Sequence, residues 1–341
     1  MRIAHVMAGA SAGGAELFFE RLTIALHRAG DAVLPVIRRN QDRAMRLRRA
    51  GLDVRELAFG RPIDLLTGPA LRRALRRFAP RVAVAWMSRA AGFAPRGDWV
   101  LVGRLGGYYD LASYRRCDHL IANTTSLVRW IAAQGWPVER VHYLPNFADD
   151  FRAAAPTRRA ALGVPDGKPL LLALGRMHRN KAFDTLLRAL PRLPDTHLAI
   201  AGDGPERDAL AELARRERVS ERVHLLGWRT DRGALLAAAD LLVCPSRREP
   251  LGNVVIEAWS AGRAVVAAAS EGPRELITPA DGVLVPIDDP DALAQALGDL
   301  LEDPARARAL ARSGRQRYER EFAEALVLGR WRDFLGAVEK P

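Results

Sequence analysis

Two glutamates stand eight positions apart across a Pro/Gly break, and they are the residues of this chain best placed to do chemistry. Glu249 lies in the segment 245–252, and Glu257 follows in a segment of helical character. The apolar run 240–244 before them is typical of a buried parallel strand. This order predicts Glu249 on a loop at the carboxyl end of a strand and Glu257 one turn into the next helix.

The same arrangement suits a ligand that carries both phosphates and hydroxyls. In open α/β sheets, ligands bind at the carboxyl ends of the strands. The predicted helix begins near Gly252, Asn253 and Val254, whose unpaired amides suit a pyrophosphate. Carboxylates would repel that anion, so we expect Glu249 and Glu257 to accept hydrogen bonds from sugar hydroxyls.

Cationic and glycine-rich segments follow two other predicted strands. Arg176 and Lys181 share one strand-to-helix loop, where they offer a bidentate and a point-charge contact to phosphate. Gly13 and Gly14 end the first predicted strand and open a helix, where the backbone can approach a ligand closely. They lack the full G-x-G-x-x-G spacing of dinucleotide binders.

Together these segments resemble the retaining glycosyltransferases of the GT-B fold that form family 4, also called glycosyl transferases group 1. The resemblance is to the E-x7-E motif of that family, and it implies that Glu249 contacts the donor sugar and Glu257 the ribose. It implies further that Arg176 and Lys181 grip the donor diphosphate.

The resemblance assigns expected places to several glycines. Gly13 and Gly14 are expected to face the donor phosphates from the acceptor-side domain. Gly202 lies in a Gly-Asp-Gly-Pro turn like that of the family, and Gly227 precedes Trp228 in a segment that resembles the one framing the nucleobase.

Mechanism and cofactors follow from the same resemblance. It implies transfer with retention, in which the donor phosphate helps to deprotonate the acceptor hydroxyl. Arg176, Lys181 and the amides near Gly252 supply the charge stabilisation that a departing diphosphate needs. No D-x-D motif stands in a suitable loop, so we expect neither a metal nor another cofactor.

The acceptor side is less well marked. Many family members carry a histidine on a loop of the first domain, but the corresponding run 102–110 has none. Arg104, Tyr108 and Asp110 are the acceptor-side candidates. The expected partners are a nucleotide-diphosphate sugar and a saccharide or lipid-linked saccharide acceptor, as in the synthesis of lipopolysaccharide, capsule or another cell-envelope glycan.

The composition is that of a globular protein with an excess of arginine. The chain has 341 residues and a formal net charge of +12. It holds no apolar run long enough to span a bilayer and no clear signal peptide, so we expect a cytoplasmic protein. No nucleic-acid-binding motif accompanies the charge.

The arginines of 72–77, with Leu71, Leu75 and Phe78, form a basic amphipathic pattern that favours contact with the inner face of an anionic membrane.

Apolar runs alternate with helical segments along the chain, which predicts an α/β fold of two doubly wound Rossmann-like domains. In the GT-B arrangement that the resemblance implies, these face each other across a cleft. We place an acceptor-side domain at 1–150 and a donor-binding domain at 166–320. A final helix, 321–338, is a candidate to pack back onto the first domain.

Other functions stay open on the sequence alone. One is a different GT-B enzyme, such as a nucleotide-sugar epimerase or a sugar-phosphate synthase. Another is a catalytically silent subunit or a basic nucleic-acid binder, against which the joint presence of Glu249, Glu257, Arg176 and Lys181 argues. A Rossmann dehydrogenase is disfavoured because neither domain carries the dinucleotide fingerprint.

Overall fold

The computed structural model of the chain describes residues 1–10, 13–60 and 64–338. It divides into two compact units. The first is Met1–Asn146 together with the residues from Ala325 onward, and the second is Phe147–Glu324. Ser11 and Ala12, in the loop before Gly13, lie outside the described residues, as does Lys340.

The first unit contains a parallel sheet of seven strands among the described residues. The strands are β1 (Arg2–Met7), β2 (Ala32–Arg38), β3 (Arg55–Leu57), β4 (Val82–Trp86), β5 (Val100–Leu105), β6 (His119–Ala122) and β7 (Val141–Tyr143). Their order across the sheet is β3-β2-β1-β4-β5-β6-β7. The helices between them are α1 (Gly14–Arg28), α2 (Gln41–Arg49), α3 (Thr67–Phe78), α4 (Met87–Phe93) and α5 (Thr125–Ala133).

The second unit, all of whose residues are described, contains a parallel sheet of six strands in the order β10-β9-β8-β11-β12-β13. These strands are β8 (Leu170–Leu174), β9 (His197–Ala201), β10 (Val223–Gly227), β11 (Leu241–Cys244), β12 (Ala264–Ala268) and β13 (Val283–Val285). Its helices are α6 (Phe183–Ala189), α7 (Arg207–Arg216), α8 (Arg232–Ala238), α9 (Asn253–Ser260), α10 (Glu271–Leu276), α11 (Pro290–Glu302) and α12 (Pro304–Arg317).

Strand β8 shows why these sequences form sheets with helices on both faces. Leu170, Leu172 and Leu174 pack in the cluster that contains α8 and α9. Leu171 and Ala173 point the other way, into the cluster that contains α6, α7, α11 and α12. Because successive side chains of a strand alternate between the two faces, a strand buried on both sides needs a continuous apolar run.

The division between the units falls between Asn146 and Phe147, four residues before the expected end of the first domain at 150. The residues 151–165, which lie between the two expected domains, belong to the second unit. Arg315 Nη2 donates to Asp150 Oδ2 at 2.8 Å, and the Tyr318 hydroxyl donates to the carbonyl oxygen of Ala148 at 3.0 Å. Both interactions hold the chain after Asn146 against the end of α12.

The final helix, α13 (Glu324–Val338), lies in the first unit apart from its first residue. It begins three residues later than the expected 321, because Tyr318–Phe322 continues α12 as a π-helical turn. Trp331 of α13 is fully buried and stacks on Trp86 with ring centroids 6.2 Å apart. Phe334 packs on the ring of His142 at 4.7 Å.

None of the helices described is both long enough and apolar enough to cross a membrane.

We expect Trp331→Ala to destabilise the first unit by about 3–5 kcal/mol, since it removes a fully buried aromatic side chain. Urea denaturation followed by circular dichroism measures this as unfolding of the variant at a lower urea concentration than the wild type. Leu326→Ala, on the same helix but 44% exposed, is the matched control. A Trp331→Ala transition that coincides with that of Leu326→Ala contradicts the role given to α13.

Candidate functional site

The carboxyl edge of the second sheet gathers charged residues that are far apart in the sequence. Strands β8 and β11 are neighbours at the point where the strand order changes direction, so the loops that leave them run side by side. The loop after β8 carries Arg176 and Lys181, and the loop after β11 carries Glu249. Lys181 Nζ forms an ion pair with Glu249 Oε2, across 68 positions of sequence.

The Lys181–Glu249 pair is fixed by its surroundings. Glu249 is buried, and Ser246 Oγ donates a second hydrogen bond to its Oε2 at 3.5 Å. Burial disfavours the charged ammonium, but the adjacent Glu249 carboxylate outweighs it and raises the pKa of Lys181. Lys181 is therefore a protonated lysine at neutral pH, and Glu249 is a partnered carboxylate rather than a free base.

Arg176 differs from Lys181 in being exposed. Among the described residues, its guanidinium has no ion pair or hydrogen bond with another side chain. Its N–H donors are thus available to a ligand at this edge of the sheet. The two predicted diphosphate contacts are in different states: Arg176 is free, and Lys181 is already paired.

The Arg176 loop is positioned by glycines at the ends of adjacent strands. A Cβ atom at Gly202 would lie 1.8 Å from the carbonyl oxygen of Gly175, so only glycine allows this approach. Gly202 and Gly227 also pair through an isolated antiparallel β-bridge. The Met177 amide then donates to the Asp203 carbonyl at 2.9 Å. Gly202 and Gly227 therefore support the loop through backbone packing.

Helix α9 presents its N-terminus at the same edge. Gly252 precedes it with φ of 96°, a conformation that favours glycine, and it provides no side-chain cap. The first amides of a helix have no acceptor within the helix, and a helix N-terminus of this kind favours an anion. The loop before it is held by α10, whose Gly272 amide donates to the Glu249 carbonyl at 2.7 Å.

Glu257 is fully buried in α9 and is paired with Arg232 at the start of α8. Arg232 Nη1 donates to both carboxylate oxygens, at 2.8 and 3.1 Å. This pairing with the Arg232 guanidinium fixes the orientation of the Glu257 carboxylate. Arg232 also lines a small cavity of about 30 Å³, with Leu174, Gly175, Ala201, Trp228, Arg229 and Val254.

The sequence reasoning missed two arginines of this edge, Arg232 and Arg247. Arg232 stands 25 positions before its partner Glu257, and no local motif marks it. Arg247 lies inside the glutamate segment, where its type alone does not distinguish it from Arg248. Its partners are Asp184 and Asp288, on other loops.

In the first unit, Gly13 and Gly14 lie where α1 begins. Gly13 is the residue before the helix and has no side-chain cap. The carboxylate of Glu16 folds back over this loop and accepts from the Ala10 amide at 2.7 Å. A Cβ atom at Gly13 would come within 2.4 Å of that carboxylate, which would then have to turn away from the loop.

The three acceptor-side candidates are in three different environments. Arg104 is fully buried, with its guanidinium 4.8 Å from the ring centroid of Trp86, and burial lowers its pKa to about 10. Tyr108 is partly exposed and lies edge-on to Trp130 at 5.3 Å. Asp110 is exposed and accepts from the Ala112 amide at 2.8 Å. The structure does not bring these side chains into one cluster.

Within the described residues, no group of three or more His, Cys, Asp or Glu side chains is arranged to hold a metal ion. The pair Asp288 and Asp289 has other partners. Asp289 caps α11 by accepting from the Ala292 amide at 2.9 Å, and Pro290 follows at the first helical position.

Comparisons with known proteins identify the family of the chain. Residues 168–303 match the family described as glycosyl transferases group 1. The chain is 33% identical over 336 residues to the lipopolysaccharide core biosynthesis glycosyltransferase LpsE of Rhizobium meliloti, covering 96% of each protein. It is also 33% identical over 339 residues to LpsD of the same organism, covering 98% of this chain and 97% of LpsD.

Solved structures show the same fold. Anabaena HepE in complex with UDP and glucose superposes with a TM-score of 0.85 at 21% identity, over 98% of this chain and 99% of that one. WaaG, a glycosyltransferase involved in lipopolysaccharide biosynthesis, gives a TM-score of 0.75 at 19% identity, with coverage of 98% and 99%. The prediction of two doubly wound α/β domains is confirmed.

Sequence identity over nearly the full length of LpsE and LpsD establishes the family. The chain belongs to the group 1 glycosyl transferases and is a glycosyltransferase related to those of lipopolysaccharide core biosynthesis.

Proposed function

We propose that this glycosyltransferase moves a sugar, with retention and without a metal ion, from a nucleotide-diphosphate sugar to a hydroxyl of a saccharide or lipid-linked saccharide. The observation that carries the proposal is the convergence at one sheet edge of Arg176, Lys181 and the N-terminus of α9. Cations and helix amides together stabilise the charge that develops on a departing diphosphate.

Each group has a role in this reaction. Arg176 and the α9 amides bind the diphosphate, and Lys181 adds a point charge. Glu249 orients hydroxyls of the transferred sugar, and Glu257 those of the ribose. The bond between the anomeric carbon and the diphosphate oxygen breaks as the bond to the acceptor oxygen forms on the same face. The acceptor proton passes to the departing phosphate oxygen.

The state of Glu249 supports this route. A carboxylate that is buried and already paired with Lys181 is a poor general base or nucleophile, because its charge is compensated. The donor phosphate is then the acceptor of the proton. The named ligands of solved relatives, UDP with glucose in HepE, support a nucleotide-sugar donor. The likeness to LpsE and LpsD supports a lipopolysaccharide core acceptor.

A thermal-shift panel of UDP-, GDP-, ADP- and CDP-sugars tests the donor site, with and without EDTA. At 100 times its dissociation constant, the correct donor is expected to stabilise the protein by about 2.7 kcal/mol, equally in chelator. Glu257→Gln is expected to abolish that shift, whereas Glu302→Gln, an exposed change on α11, leaves it intact. No shift for any nucleotide contradicts the proposal and favours a silent binding module.

Arg176→Ala is expected to lower kcat by about 10²- to 10³-fold, the usual effect of removing one donor to a developing anion. Stability is expected to change by less than about 0.5 kcal/mol, because the side chain is exposed and unpaired. Release of nucleoside diphosphate measures kcat, and proton NMR of the product reports the anomeric configuration.

Arg179→Ala, an exposed arginine on the same loop, is the matched control for charge alone. An equal loss of kcat in the two variants contradicts a specific role for Arg176. An inverted anomer in the product contradicts retention.

Contact with an anionic membrane surface is the second part of the proposal, and α3 supports it. Leu71 and Leu75 of α3 are buried in the first unit, so the apolar face of this helix is not available to lipid. Four exposed arginines lie on the other face, Arg72, Arg73, Arg76 and Arg77. Just before the helix, Leu65 and Leu66 are 78% and 80% exposed. Basic residues near an anionic surface contribute about 1 kcal/mol each.

We expect the protein to co-sediment with phosphatidylcholine vesicles only when they contain phosphatidylglycerol. The double variant Arg72→Glu with Arg76→Glu is expected to lose this binding, because it reverses charge on the exposed face. Arg215→Glu with Arg216→Glu, on exposed arginines of α7, is the control. Docking by α3 is contradicted if co-sedimentation does not depend on anionic lipid. It is also contradicted if both double variants lose vesicle binding to the same extent.

A further inference from the structure

The guanidinium of Arg247 is the point where three loops of the second unit are joined. An arginine has five N–H donors, and each of those in Arg247 has an acceptor. Nε donates to Asp288 Oδ2 at 2.8 Å. Nη1 donates to the carbonyl oxygen of Arg179 and to Asp184 Oδ1, both at 2.8 Å. Nη2 donates to Asp184 Oδ2 at 2.8 Å and to Thr185 Oγ1 at 3.3 Å.

These acceptors connect the two loops that carry the reactive pair. Arg247 stands two residues before Glu249, and Arg179 stands two residues before Lys181. A backbone bond runs parallel to the side-chain contacts, since the Arg248 amide donates to the Asn180 carbonyl at 3.2 Å. The separation of Lys181 from Glu249 is thus set by contacts made two residues earlier on each loop.

The third loop adds a strained residue. Asp288, between β13 and α11, has φ of 58°, in the left-handed region that a non-glycine residue rarely adopts. Thr185 Oγ1 donates to Asp288 Oδ1 at 3.0 Å, and Arg247 binds the same carboxylate. Such a conformation persists only where its surroundings hold it, and these conformations cluster at functional sites.

The carboxylates around Arg247 are partly buried, and each is paired with an arginine. Asp184 lies between Arg247 and Arg188, whose Nη1 donates to its Oδ2 at 2.9 Å. Burial alone disfavours the charged carboxylate, but the hydrogen bonds from Arg247 and Arg188 outweigh it and lower the pKa of Asp184. Asp184 therefore remains ionised at neutral pH, and with Asp288 it keeps the planar fork of Arg247 in place.

We propose that Arg247 is a positioning residue that holds Lys181 against Glu249 without touching the substrate. The proposal rests on the proposed function for the role of that pair in transfer, but the geometry it describes is independent of any ligand. Lysine cannot take its place, because one ammonium with three donors does not reach five acceptors that lie on two loops and on helix α6.

Chemical labelling of lysine tests the geometry directly. The chain has three lysines, Lys168, Lys181 and Lys340, so acetic anhydride labelling followed by peptide mass spectrometry resolves each. In Arg247→Gln we expect Lys181 to label about tenfold faster, because loss of the ion pair leaves more of this lysine as the reactive free amine. Lys168, paired with Asp195 at 2.8 Å, is expected to label at its wild-type rate.

Variants of neighbouring residues separate positioning from a general loss of folding. Arg248→Gln is the matched control, because Arg248 is 68% exposed and meets only Glu271, at 4.0 Å. Arg247→Lys is expected to behave like Arg247→Gln. If Arg247→Gln fails to fold by circular dichroism, Asp288→Asn weakens the same cluster through a single acceptor. Labelling of Lys181 at the wild-type rate in a folded Arg247→Gln or Asp288→Asn protein overturns the proposal.

Turnover provides a second readout, with the nucleotide sugar that gives the largest thermal shift. Arg247→Gln is expected to lower kcat about tenfold with little change in the donor KM. In a Lys181→Ala background, the same change is expected to have no further effect. Equal losses in both backgrounds contradict positioning through Lys181. If the wild-type protein shows no turnover with any donor, the proposed function is contradicted. The labelling of Lys181 then still decides whether Arg247 positions this lysine.

Discussion

The reversal of strand order in each parallel sheet is the constraint from which the rest of the structure follows. A parallel strand is followed by a crossover, so every loop of interest leaves the same edge of its sheet. Ligands of open α/β sheets bind where the strand order reverses, which is between β8 and β11 in the second unit and between β1 and β4 in the first. The Lys181–Glu249 pair and the start of α1 lie at these two points.

Charge compensation is the second constraint, and it determines which side chains pair at the carboxyl edge of the second sheet. An uncompensated buried charge is costly, so the buried carboxylates Glu249 and Glu257 are each paired with a cation. Arg247 is paired in the same way with Asp184 and Asp288. Arg176 and Arg179, both on the loop after β8, are exposed, and their guanidinium groups have no side-chain partner among the described residues. A donor diphosphate would therefore meet free guanidinium groups first, while the buried charges at this edge are already paired.

The strands of both sheets were predictable because burial on both faces requires continuous apolar runs. Strands β4, β8, β11 and β12 are such continuous apolar runs. The short edge strands β3 and β7, with the sequences Arg-Glu-Leu and Val-His-Tyr, contain no such run, and each of them pairs with a single neighbouring strand. The start of α13 was misplaced because a π-helical turn and a helix share the same local pattern.

By itself, the sequence determined which loops and helix starts carry candidate ligand groups, because Pro/Gly breaks and apolar runs are local properties of the chain. Glu249, Arg176 and Lys181 were found in this way. The tertiary structure alone decided which charges neutralise each other. Arg232 meets Glu257 across 25 positions, Arg247 meets Asp184 across 63, and Lys181 meets Glu249 across 68. No local pattern encodes such pairs, because they form only when separate strands end side by side at one edge of a sheet.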